Sequence, residues 1–203
     1  MVYGLGCLAL SLLAAASAGA QTPAQPPHAA EHHEFVIDNF HTESGATLPK
    51  ARIVYGTYGH LNAARDNVVL LPSHYMANHH GYEWLIGPDR ALDASTLFLV
   101  ATELFGNGHS SSPSNTPEPF HGPRFPINVE KALRSIAVPV LYMPSETDLY
   151  FPVGDARHEA QFIRRVSLVP IPSLWGHPAG AGGNPADRAF LNETISRFLA
   201  GLQ

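Results

Sequence analysis

The chain carries one cysteine, Cys7, and it lies inside the apolar opening stretch MVYGLGCLALSLLAAASAGA. Downstream of that stretch, a disulfide, a four-cysteine zinc site and a cysteine nucleophile are excluded. Charge is also scarce: 14% of the residues are charged, the formal net charge is −5, and Lys and Arg form no run. Without a basic patch there is no nucleic-acid footprint and no surface for an anionic membrane. No apolar run reaches the roughly 20 residues that span a bilayer, and no internal repeat is present. The pattern Gly-x-Ser-x-Gly, which seats a nucleophilic serine on a tight strand-to-helix turn, occurs nowhere.

What is present begins with an export signature. Residues 5–16 are apolar and lead into Ala18-Gly19-Ala20, a small-x-small cleavage pattern, although no Lys or Arg precedes them. Residues 1–20 are therefore read as a signal peptide, residues 21–33 as a Pro/Ala-rich linker, and residues 34–203 as a single domain. The expected address is periplasmic or secreted, with no stable membrane span once the signal is removed.

Two kinds of strand follow. Glu34 to Phe40 (EFVIDNF) and Ala51 to Thr57 (ARIVYGT) alternate apolar and polar residues around a Ser44-Gly45 turn. That alternation predicts an antiparallel pair with one buried face. Asn67 to Leu71 (NVVLL), Thr96 to Ala101 (TLFLVA), Val138 to Met143 (VPVLYM) and Val166 to Ile171 (VSLVPI) are continuous and apolar, as strands buried on both faces of a parallel sheet require. Helices are predicted over His79 to Ile86, Val129 to Ile136, Gly154 to Arg165 and from Pro185 onward. The last is capped by Asn184 and presents Leu191, Ile195, Phe198 and Leu202 on one face. The fold class is α/β, with a largely parallel sheet flanked by helices.

The loops after the last two strands carry the chemistry. Asp148 lies in SETDLYFP and His177 in SLWGHPAG. An acid after one strand and a histidine after the next form the back half of a Ser…Asp…His triad in α/β-hydrolase order. In such a triad His177 is the general base, and Asp148 fixes its tautomer and stabilises the imidazolium. Two stand-in nucleophiles are weighed. Ser110, Ser111 and Ser112 follow Gly108 without a second glycine, and Ser73 follows a strand but lacks the elbow glycines. Neither fits a nucleophile elbow, so the nucleophile stays unknown. His28, His32 and His33 form one histidine group; His74, His79 and His80 form another. Neither shows His-Glu-x-x-His spacing, so no metal site is expected. Trp84, Trp175 and Phe151 read as core or pocket-wall residues.

A family resemblance then joins these pieces. Tyr55-Gly-Thr-Tyr-Gly-His-Leu-Asn, Asp66-Asn67, LFGNGHSSSPSNT (104–116), Phe125-Pro126, SETDLYFP and PSLWGHPAGAG resemble the homoserine O-acetyltransferase-like branch of the α/β-hydrolases. The resemblance covers nearly the whole chain after the signal. It implies that His74, Tyr75 and Met76 form the oxyanion loop, with the backbone N–H of Met76 as donor and Tyr75 beside it. It also implies a serine acyl-enzyme with no organic cofactor or metal. In that family a helix, the nucleophile strand with its elbow, a further core strand and a helical cap follow the Phe-Pro pair. Here Phe125-Pro126 runs directly into Ile127-Asn128-Val129-Glu130, as if those parts were removed by one internal deletion. The expected architecture is thus a truncated α/β-hydrolase fold lacking its nucleophile strand and cap. The Asn67 strand would then either pair with the Val138 strand or leave two unpaired edges prone to self-association.

The expected function is serine-type acyl transfer or hydrolysis of a small acyl ester or lactone, on a chain that lacks the serine. Two alternatives stand beside it. One is a non-enzymatic binding protein on a hydrolase scaffold. The other is a truncated product of a longer active enzyme.

Overall fold

The computed structural model describes residues 30–42, 45, 47–112, 114–116 and 129–202. The expected signal peptide, residues 21–29 of the expected linker and the Pro126–Ile127 junction lie outside them. The first described strand is β1 (Glu31–His41), antiparallel to β2 (Thr47–Tyr58). The linker expected through residue 33 therefore ends sooner, because Glu31, His32 and His33 already pair with Thr57, Gly56 and Tyr55. Apolar alternation misses this start, because the first turn of pairing is secured by polar groups. His33 Nε2 lies 3.0 Å from Thr57 Oγ1, and its ring stacks on Tyr55 with centroids 5.0 Å apart.

β3 (Val68–Pro72) and β4 (Phe98–Thr102) complete a four-stranded sheet of order β1-β2-β4-β3. β2 and β4 are antiparallel, while β3 and β4 are parallel. A separate two-stranded parallel sheet pairs β5 (Val140–Tyr142) with β6 (Val166–Leu168). An isolated bridge between Ser145 and Ile171 carries that pairing towards the loops of Asp148 and His177. The whole is α/β with a mixed arrangement: antiparallel where the sequence alternates, parallel where it is continuously apolar. Among the described residues β3 and β5 do not pair with each other, so each keeps one free edge.

Between β3 and β4 the expected helix shrinks to a 3₁₀ turn, Glu83–Leu85. Side chains capture the backbone first. Asn78 Oδ1 accepts from the His80 N–H at 3.0 Å, and Glu103 Oε1 accepts from the His79 N–H at 2.9 Å. Those amides are diverted from a helical ladder. The remaining helices are α1 (Val129–Ser135), α2 (Val153–Ala160) and α3 (Pro185–Ala200). α2 stops at Ala160, short of the expected Arg165, yet Ile163 is still buried by the turns that follow. α3 starts as expected: Asn184 Oδ1 accepts from the Asp187 N–H at 2.9 Å, with Pro185 in the first turn. Its packing face is Leu191, Thr194, Ile195 and Leu199, whereas Leu202 lies past the helix end in solvent.

The main core gathers Tyr58, Leu85, Ile86, Leu92, Leu99 and Ala101, and a second cluster gathers Ile171, Ala179 and Leu191. Trp84 packs against both and so ties the two sheets together. A Cβ on Gly182 would sit 2.8 Å from the Trp84 ring, and Gly182 also has φ +66°, so no other residue fits there without strain.

One expectation fails at β3. Val69 and Leu71 pack inward, but Val68 and Leu70 are 48% and 61% exposed. Their β4 partners are Phe98 and Val100, so neighbouring apolar side chains form an open sheet face. The continuous run is that of a strand covered on both sides, and here only one side is covered.

Candidate active site

The strand ends bring the predicted residues together. Asp148 follows β5, and its Oδ1 accepts from the N–H groups of Tyr150 and Phe151 at 2.8 and 3.1 Å. Its Oδ2 lies 2.8 Å from Nδ1 of His177. An ionised Asp148 accepts there, so Nδ1 carries the proton and Nε2 is left as the basic nitrogen. Thr147 ties the two loops: its Oγ1 accepts from the Gly176 N–H at 3.0 Å and donates to the Ser173 carbonyl at 2.8 Å. Gly176 has φ +62°, a left-handed turn that delivers His177 to the head of the 3₁₀ turn His177–Ala181.

The loop after β3 closes on this pair from the other sheet. The Tyr75 ring lies with its centroid 5.5 Å from both the His177 and Phe151 rings, and the Tyr150 ring is 5.1 Å from His177. Met76 adopts φ +60° and is 88% exposed. A left-handed non-glycine residue is strained, and such strain is maintained where a loop must present a particular backbone group. Tyr150 and Thr147 were not singled out from sequence. Their adjacency to Asp148 was the available signal.

Two hollows accompany the site. One of about 620 Å³ is walled by residues 73–78 and 104–107 with His109. The other, about 550 Å³, lies on the open sheet face against Phe35, Ile53, Phe98 and Val100 and contains none of these groups. The first is the relevant one by chemistry, since the Tyr75–Met76 loop forms its wall, although the Asp148–His177 pair itself lies outside its lining.

No family model matches the chain. Curated relatives do. A serine O-succinyltransferase of Emericella nidulans is 32% identical over 147 residues, 62% of this chain and 27% of its own length. A homoserine O-acetyltransferase of Chlorobium luteolum is 33% identical over 104 residues, 48% of this chain and 29% of its own. An ethyl acetate hydrolase of Pseudomonas veronii is 37% identical over 84 residues, 41% of this chain and 24% of its own. Among solved structures, the acetyl esterase MekB superposes with a TM-score of 0.68 at 16% identity, covering 84% of this chain and 97% of that one. The chain has the α/β-hydrolase fold, and the curated proteins it resembles are serine and homoserine O-acyltransferases and an esterase. It spans about a quarter of the length of the curated relatives it matches.

The serines of this chain do not replace an elbow. Ser110, Ser111 and Ser112 are buried, and their hydroxyls are committed to backbone. Ser111 Oγ accepts from the Arg52 N–H at 2.9 Å, Ser110 Oγ from the Val54 N–H at 3.0 Å, and Ser112 Oγ from the Gly108 N–H at 2.8 Å. The loop thus continues the edge of β2 where β4 has ended, with hydroxyls standing in for a strand. Ser73 is also buried, its N–H donating to the Thr102 carbonyl at 2.9 Å. Among the described residues no hydroxyl is hydrogen-bonded to His177 Nε2.

The histidines regroup. His33 turns to Tyr55 and Thr57, and His74 to Tyr82, while His32 crosses from β1 to meet His79 and His80. His28 lies outside the described residues.

Burial pushes the Asp148 carboxyl up, but the His177 hydrogen bond, the Phe151 and Tyr150 amides and the imidazole charge outweigh it. The carboxyl is held below its ordinary 3.8. A depressed acid binds its proton more weakly folded than unfolded. Its stabilisation is therefore complete above the ordinary carboxylate value and is lost as pH falls through the folded one. The difference in urea midpoint between this protein and Asp148→Asn is expected to be open at pH 5 and to narrow steadily below about pH 4. A difference independent of pH from 5 to 2 would show that the Asp148 charge contributes nothing.

Proposed function

We propose that this chain is an exported α/β-hydrolase-family protein that keeps the acid–base half of an ester-processing site. His177 is its general base, Asp148 the acid that orients it, and the backbone N–H of Met76, with Tyr75 beside it, the oxyanion donor. The observation that carries this reading is the 2.8 Å contact between Asp148 Oδ2 and His177 Nδ1 under the Tyr75 ring. It supplies the orienting arm of the triad and leaves Nε2 basic. The ancestral chemistry of such a site is acyl transfer or ester hydrolysis, which needs no metal or organic cofactor. The substrate class is a small acyl ester or lactone, a reading supported by the ethyl acetate hydrolase among the relatives. The apolar run at residues 5–16 and the Ala-Gly-Ala that follows support a periplasmic or secreted address. Export away from cytoplasmic acetyl-CoA favours hydrolysis over transfer from that donor.

The missing Gly-x-Ser-x-Gly and the committed hydroxyls of Ser110, Ser111 and Ser112 favour a second reading, in which the chain binds an ester without forming an acyl-enzyme. An unactivated serine is a poor nucleophile. The free edges of β3 and β5 and the exposed Val68 and Leu70 extend this second reading to association with another copy of the chain.

The test is the intact mass of the secreted protein before and after a fluorophosphonate probe. The expected result is no gain, which leaves binding as the function of the isolated chain. A gain of one probe would identify an activated serine and restore acyl-enzyme turnover, with peptide mapping to locate it. Sequencing the encoding DNA across the Pro126–Ile127 junction tests the remaining alternative, a truncated product of a longer enzyme.

A further inference from the structure

On the opposite side of β2 from β4, the first strand brings His32 against the turn that carries His79 and His80. We infer that these three imidazoles form a zinc site, independent of the Asp148–His177 pair and of any ester chemistry. One ring nitrogen from each lies within 4.8 Å of the other two. His79 Nε2 and His32 Nδ1 are 3.0 Å apart. Tetrahedral zinc with Zn–N bonds of about 2.0–2.1 Å needs its ligand nitrogens roughly 3.3–3.4 Å apart. A small opening of the cluster therefore admits the ion, which takes the place of the proton now shared between His79 and His32.

Proximity alone would describe many surface histidines, but the supports behind these rings distinguish them. His79 Nδ1 is 2.6 Å from Glu103 Oε1, and His80 Nδ1 is 2.5 Å from Glu83 Oε1. Both carboxylates are themselves held. Glu103 is fully buried, accepts from the His79 N–H at 2.9 Å and also takes the Asn107 amide; Glu83 accepts from the Tyr58 hydroxyl at 2.8 Å. A carboxylate on one ring nitrogen fixes the tautomer, aims the other nitrogen and raises its basicity, the usual outer arrangement around metal-bound histidine. Two carboxylates behind the three rings also supply the negative field that a dication requires.

The third support is a space made by the backbone. Gly56 is the register partner of His32, and a Cβ there would lie 2.7 Å from His79 Cδ2. Its backbone is not in the left-handed region, so this glycine serves to admit the ring and not to make a turn. It lets the His79 imidazole slide over β2 until it reaches His32. His32 is on the solvent side, which gives the ion its entry and leaves the fourth position to water. Three imidazoles and an open position suit zinc, while hard cations such as Mg²⁺ and Ca²⁺ prefer oxygen ligands.

The experiment is calorimetric titration of Zn²⁺ into the full, tag-free chain after chelator treatment, repeated on His32→Ala, His33→Ala and His177→Ala. His32 is exposed, so its replacement leaves the fold intact, and circular dichroism checks this. One equivalent is expected to bind, with affinity at least about tenfold weaker in His32→Ala, the lower bound seen when even an outer partner is lost. His33→Ala and His177→Ala should bind as the parent does. Absence of binding, or equal binding by His32→Ala, would overturn the site and leave the three rings as a hydrogen-bonded structural cluster. Loss in His177→Ala alone would instead place the ion at the Asp148–His177 pair and overturn it equally.

Discussion

Glu103→Ala is expected to lower folding stability by about 3–5 kcal/mol, the range for removing one partner of a buried charged contact. The Glu103 side chain is 0% exposed, and the residue directly follows β4 and meets the turn of His79. Burial pushes its carboxyl up, but the His79 amide and ring, with the Asn107 amide, overcome this and hold it below its ordinary value. The group is therefore a buried carboxylate at neutral pH. Alanine removes the acceptor and strands three donors: the His79 N–H, its ring N–H and the Asn107 amide. Each unsatisfied donor costs about 1–3 kcal/mol, and relaxation of the turn keeps the sum below simple addition. Against a typical total of about 5–15 kcal/mol, the loss leaves a marginal protein. Glu103→Gln keeps the shape and one acceptor, and is expected to fall between parent and alanine. Urea unfolding of all three proteins measures this. A loss below about 1 kcal/mol for alanine would mean that solvent already satisfies the turn.

How far this was legible in the sequence depends on the range of the cause. The Asn184 cap and the antiparallel pairing of β1 with β2 are local patterns and are found as read, but the single buried face is not: Phe35 and Val36 are neighbours on β1 and both are exposed, and Asn39 takes no partner in the register. The order of Asp148 and His177 after consecutive apolar runs also led to a real contact, because parallel neighbours place their C-terminal loops side by side. The failures are matters of register. His32 and His79 are separated by 47 positions and meet because β1 pairs Gly56 opposite His32, a fact with no signature in either segment. The missing glycine made Ser110–Ser112 poor elbow candidates, but their work as hydroxyl substitutes for a strand needed the edge of β2 to be seen. Glu103 does carry a signal, an acid directly after the apolar run of β4. The open side of β3 could not be read at all, since VVLL has the same composition whether one or both faces are covered.

That open side yields the other large effect. Leu70→Lys is expected to weaken self-association of the chain by roughly 10- to 150-fold while leaving the monomer's stability within about 0.5 kcal/mol. Leu70 is 61% exposed beside Val100 and Phe98, and among the described residues β3 has no partner on its outer edge. Covering a leucine is worth about 1.5–3 kcal/mol, and each 1.4 kcal/mol is tenfold in an association constant. Loss of one such contact accounts for the stated range. Lysine adds to it, because a charge on an edge strand opposes pairing with a second strand. The monomer tolerates the change, since the side chain already faces water and its ammonium stays solvated. Sedimentation velocity over a concentration series, with parent and variant compared at equal ionic strength, separates the outcomes. A concentration-dependent parent and a monomeric variant would support copies meeting at β3. A parent that sediments as a monomer throughout would show that the unpaired edge and the face beside it are tolerated in water, and would remove association from the proposed function. Association unchanged by lysine would move the contact elsewhere, with the free edge of β5 the next strand to charge.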